Sequence, residues 1–96
     1  MIDGNVSEFI DKITFQEEAV LYQGKKYFFH GLIFDSVKGV YTFEIHLWDE
    51  QGNYVETVYS CQASAQAECM EKLLNEPIID GKIFWEIEQQ MTWVEW

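Results

Sequence analysis

Val40-Tyr41-Thr42-Phe43-Glu44-Ile45-His46-Leu47-Trp48 is the stretch whose reading decides the fold. Tyr41, Phe43, Ile45 and Leu47 fall on one parity, and Thr42, Glu44, His46 and Trp48 on the other. That is the period-two pattern of a strand with one face buried. Working outward, Tyr27-Phe28-Phe29-His30-Gly31-Leu32-Ile33-Phe34 precedes it, separated by the breaker Asp35-Ser36-Val37-Lys38-Gly39. Asp49-Glu50-Gln51-Gly52-Asn53 follows it and turns the chain into Tyr54-Val55-Glu56-Thr57-Val58-Tyr59. Aromatic and β-branched runs bounded by Gly and Asp clusters predict an antiparallel meander.

Strand parity then sorts the side chains into two faces. Pairing Phe34 with Val40 places Leu32 opposite Thr42, His30 opposite Glu44 and Phe28 opposite His46. Pairing Trp48 with Tyr54 places His46 opposite Glu56 and Glu44 opposite Val58. The other parity holds Tyr27, Phe29, Ile33, Tyr41, Phe43, Ile45, Leu47, Val55, Thr57 and Tyr59, and its apolar uniformity marks it as the core side. The first face is mixed: Phe28, Leu32, Phe34, Trp48 and Tyr54 share it with two His and two Glu. It is too apolar for an ordinary solvated surface.

Composition sets bounds on the rest. The 96 residues suffice for one domain, residues 1–96, with a single core. Hydrophobic residues make up 48% and aromatics 17%, which excludes a disordered chain in spite of its charge. Burial at roughly 25 cal/mol per Å² lets these side chains hold a core without disulfide or metal staples. Asp and Glu number 17 against 6 basic residues, a formal net charge of −11, and every basic residue is Lys. Without Arg forks or a basic cluster, direct nucleic-acid recognition is not expected. An acidic surface instead draws basic protein patches, or simply serves solubility. Neither a signal-like leader nor a membrane-length apolar run is present, so a cytoplasmic protein is expected. There Cys61 and Cys69 read as reduced thiols, the alternative being a disulfide between a strand end and the following helix.

Along the chain, Met1 to Gly4 is a lead-in, and Asn5 and Glu8 offer a cap and a capping-box carboxylate. Val6, Phe9, Ile10 and Ile13 then predict a helix of about two turns. A strand is expected from about Glu18 to Tyr22, joined through Gln23-Gly24-Lys25 to the Lys26–Phe34 run. Ala65 to Leu74 predicts a second helix, with Ser64 as its cap, and Pro77 bars αR at Glu76 and ends it near Asn75. The tail suits a short helix from about Ile83 to Gln90 and then an extended Thr92 to Trp96. Its tryptophans are expected to rest on the mixed sheet face or on a partner. The fold class is therefore α+β: an N-terminal helix, a meander of about four strands, a helix, and a C-terminal helix or strand.

Chemistry-bearing constellations are few. His30 and His46 with Glu44 and Glu56 have the donor types of a zinc-type site, but the spacing is not that of a metal motif. Cross-strand His–Glu pairing on a partly exposed face explains them better, so no metal and no cofactor is expected. The serines lie at turns and helix starts, no nucleophile elbow exists, and phosphate-loop and dinucleotide fingerprints are absent, so no enzyme is expected. The remaining feature is the aromatic face with its acidic rim. Phe28, Phe34, Trp48 and Tyr54 with Glu44 and Glu56 form a surface suited to a basic protein partner. A meander followed by a helix is similar in element order to HicB-type antitoxin domains. That likeness is of arrangement alone; the charge of −11, the absence of Arg and the missing catalytic set are what suggest a small partner-binding protein of the inhibitor, immunity or antitoxin kind. The alternative is a homodimer formed through the same face or an edge strand.

Overall fold

The computed structural model describes residues 5–94. Expectations for Met1 to Gly4, and for the end of the tail at Glu95 and Trp96, concern residues outside that range. The fold is α+β, as the periodicities require. Helix α1 spans Val6–Phe15, and strands β1 to β5 span Glu18–Tyr22, Lys25–Phe29, Ile33–Asp35, Val40–Trp48 and Tyr54–Ala63. Helix α2 (Gln66–Asn75) leads into the small hairpin of β6 (Pro77–Ile79) and β7 (Lys82–Ile83). A single α-helical turn, α3 (Phe84–Ile87), continues as a 3-10 turn, Glu88–Gln90, and strand β8, Thr92–Val94, completes the described chain.

All pairings in the main sheet are antiparallel. β5 lies along one edge of β4. β2 and β3 share the other edge as one strand broken over residues 30–32, with β1 beyond β2 and β8 beyond β1. The tail therefore extends the sheet instead of lying across it. This corrects the expectation that its tryptophans blanket the mixed face: Trp93 pairs in register with Val20 and packs edge-on against Phe9 at 5.2 Å, on the core side. A strand edge with unpaired N–H and C=O groups draws an extended tail more strongly than an apolar patch does.

Most of the predicted core side is the core, but Ile33 and Val55 are exposed, at 56% and 51%. Tyr27, Phe29, Phe43, Ile45, Tyr59, Cys61 and Ala63 project from the sheet into one cluster with Phe9 and Ile13 of α1. Cys69, Met70 and Leu73 of α2 join it, as do Ile78, Phe84, Ile87 and Met91. Phe9 stands at the centre of an aromatic set, edge-on to Phe29 at 5.3 Å and stacked with Phe84 at 6.0 Å. Tyr59 donates its hydroxyl proton to Glu76 Oε1 at 2.7 Å, tying β5 to the end of α2.

Local sequence explains where elements begin and end. Gln23-Gly24 and Asp80-Gly81 both have positive φ at both residues, the conformation of a two-residue hairpin turn whose twist suits the flanking strands. Pro77 follows a Glu76 with φ −99° and ψ 154°, so α2 stops at Asn75 as expected. The caps are a correction. α2 begins one residue later than predicted, with Ala65 and not Ser64 at the N-cap, and neither there nor at Asn5 does a side chain bond the helix. The capping of α1 is backbone only, Phe9 N–H to Asn5 O at 2.9 Å.

Two irregularities move residues off their expected face. At His30-Gly31-Leu32, three residues oppose two of β4. Beyond them the register therefore becomes Ile33 with Thr42 and Phe34 with Tyr41, not Phe34 with Val40. Gly31 has φ +78°, and a Cβ there would meet Gln16 O at 3.0 Å, so only glycine fits this break. In β5, bulges lie opposite Ile45/His46 and Leu47/Trp48. They set Glu56 opposite Leu47, Thr57 opposite His46 and Ser60 opposite Glu44, correcting the expected His46–Glu56 and Glu44–Val58 pairs. Phe34 and Glu56 thus leave the mixed face, and so the six-residue docking set loses two members.

Candidate functional site

Four of the six expected contact residues, together with both histidines, come together on the outer face of the sheet. Phe28 and Trp48 are ring neighbours at 4.7 Å, and Lys26 Nζ lies 5.5 Å from the Phe28 ring centre. His46 sits opposite Phe28 in register, touches His30 ring to ring at 4.0 Å, and meets Tyr54 edge-on at 5.0 Å. Glu44 Oε1 lies 2.9 Å from His46 Nε2, a pairing on one strand face two residues apart. Tyr54 OH and Thr57 Oγ1 share a hydrogen bond of 2.9 Å, which the bulge makes possible by turning Thr57 to this side.

Within this cluster the residues differ in what they offer. Phe28 is only 6% exposed and forms the floor, while Tyr54 at 53% stands clear of it. Trp48 covers the floor and is half-buried. Phe34, though 54% exposed, shares the Tyr41 side, with its ring 5.0 Å from Tyr41. Glu56 lies near Tyr27 on the core side, where its charge adds the smallest share to the upward push on the Tyr27 hydroxyl, after burial, Asp80 and Tyr22.

The helices pack on the opposite side, since the buried residues of α1, α2 and α3 all join the core cluster. Among the described residues, no helix packs on the outer face. Two polar atoms are trapped there: Trp48 Nε1 and His30 Nε2 are buried and find no hydrogen-bond partner among the described residues. An unsatisfied buried polar atom costs about 1–3 kcal/mol, so the aromatic collapse here is tolerated, not optimal. Burial lowers the His30 pKa from its ordinary 6.5, and His46 adds to this, against the opposing pull of Glu17 and Glu44. His30 is therefore neutral at pH 7, with the Glu17 carboxylate 3.6 Å from Nδ1.

Beside His30 the face runs into an open groove of about 1090 Å³ lined in part by Glu8, Phe15, Glu17, Glu18, Trp93 and Val94. Of its carboxylates, Glu17 reaches the face, beside His30, and Lys12 also lines the groove. Glu18 is already engaged, accepting the indole N–H of Trp93 at 2.7 Å. Parity within the three-strand meander missed Glu17 and the flank supplied by β1 and β8. Ala19 pairs with both Phe28 and Val94, and this places β1 and β8 side chains beside the aromatic floor.

As a metal centre the cluster fails on arrangement. His30, His46 and Glu44 meet, but Glu56 lies on the other side. Among the described residues no group of three or more His, Cys, Asp or Glu side chains is set to hold an ion. No helix among the described residues is long and apolar enough to cross a membrane. Comparison with family models, curated proteins and solved structures yields no match.

Proposed function

We propose that the chain is a small protein-binding module that docks the outer face of its sheet on a basic surface of another protein, in the manner of an inhibitor, immunity or antitoxin-type protein. The observation that carries this reading is an aromatic sheet face, Phe28, Trp48, His46 and Tyr54, that no described helix covers and that Glu44 and Glu17 border. Interface cores favour aromatic anchors, and Tyr and Trp are the side chains that most often dominate binding energy. The net charge of −11 supplies the complement to a basic partner and steers the encounter. No step of catalysis is assigned to it, and its place of action is taken as the cytoplasm.

The test is affinity capture from the native host with the intact chain and with Tyr54→Ala, washed over a range of salt. A docked basic protein should be retained at low salt, released as ionic strength rises, and absent from the variant. A partner held equally at high salt, or equally by Tyr54→Ala, would contradict the reading. The second reading, a homodimer through this face or the outer edge of β5, rests on that strand pairing only with β4 among the described residues. Charge opposes it, because two copies each at −11 repel. Sedimentation decides between them: a monomer at micromolar concentration removes the homodimer.

A further inference from the structure

Cys61 near the end of β5 and Cys69 in α2 are both buried, and their Sγ atoms lie 3.6 Å apart. Cys61 Sγ is also 3.7 Å from Cys69 O, and Cys69 Sγ is 3.9 Å from Tyr41 O. The docking face makes no use of either. A disulfide needs its sulfurs at about 2.05 Å, so the two must still approach from this 3.6 Å contact before a bond can form. We propose that Cys61 and Cys69 form a reversible dithiol–disulfide site that exchanges with low-molecular-weight disulfides of the glutathione class.

The exchange balances in two steps. Cys61, as thiolate, attacks one sulfur of oxidised glutathione. Its S–S bond breaks, and the departing glutathione thiolate carries away the electron pair and takes up a proton. Cys69 then loses its proton to solvent and attacks the Cys61 sulfur of the mixed disulfide, expelling the second glutathione thiolate. Both cysteines are oxidised, and one glutathione disulfide is reduced to two thiols. The order follows from access, because Cys61 keeps 7% of its surface exposed and Cys69 none. Burial, and then the hydrogen bond with Cys61, pushes the Cys69 thiol up to about 12, which suits the second, intramolecular step and not the first. Closure ties the end of β5 covalently to α2.

The experiment equilibrates the full chain in glutathione buffers of graded ratio, folded and in denaturing urea, from both the reduced and the oxidised side. Alkylation of free thiols and mass measurement then give the fraction closed. Because the fold holds the two sulfurs together, the folded chain should close under conditions about tenfold or more reducing than the unfolded chain requires. The product should be a monomer lighter by two hydrogens, and Cys69→Ser should stop at a glutathione adduct on Cys61. A folded chain that closes no more readily than the unfolded one would overturn the proposal, as would linkage only between molecules.

Discussion

Tyr54 is the residue at which folding and binding separate most cleanly. Half of its surface is exposed and, among the described residues, its hydroxyl bonds Thr57, so Tyr54→Ala should cost less than about 1 kcal/mol of folding stability. As an aromatic anchor it should cost 2 kcal/mol or more of binding, on the order of thirtyfold in affinity. Urea denaturation and titration with the captured partner measure the two. His30 gives the second prediction at this scale. Its folded pKa lies below the unfolded 6.5, so the folded state binds the proton more weakly. Stability is then full above about pH 6.5, and is lost as the pH falls from there through the lower, folded value. Denaturation at several pH values should show that decline, and His30→Gln should flatten it. A variant with the same slope as the parent would contradict the buried, neutral imidazole. The sequence made the histidines' common face legible, because Phe28 pairs with His46 without any intervening irregularity. The partnership of His30 with Glu17 was not legible, since Glu17 reaches it from the segment between α1 and β1.

At the scale of elements, the turn between β1 and β2 offers a direct check. Gln23 holds φ 51° ahead of Gly24, a left-handed conformation that asparagine tolerates better than glutamine. Gln23→Asn should therefore raise stability by about 0.5 kcal/mol, seen as a shifted urea midpoint with unchanged slope. β4 and the end of α2 were readable because each rests on a local cause, alternation in the one and Pro77 in the other, whereas β1 is buried on both sides and has no such alternation. The bulges were harder because they depend on which residue the β4–β5 ladder extrudes. Their effect is also partly hidden. The two bulges of β5 cancel, so Tyr54 and every residue from Tyr59 onward keep the expected face, and only the stretch between them is displaced. Adjacent apolar Val58 and Tyr59 were the available signal, since strict alternation cannot bury both. For β3 the signal was Gly31 inside an apolar run, and the single break there has nothing to cancel it, so Phe34 changes sides.

At the largest scale, the described residues form a sheet with helices packed on one side, and the other side carries the Phe28, Trp48 and Tyr54 rings. The tail's placement at the β1 edge leaves that side uncovered by Trp93, which sequence alone left open between the sheet face and a partner. Charge acts at this scale as well: 17 acidic side chains on 96 residues favour a basic partner over a second copy of the chain. The account's central claim is that the uncovered side is where binding occurs. Oxidative footprinting of the chain, alone and with its captured partner, tests that most directly. Tyr54 and Trp48 should become protected on binding, while Trp85, exposed on α3, keeps its reactivity. Protection at Trp85 and Phe34 with Tyr54 unchanged would place the interface elsewhere and contradict the account.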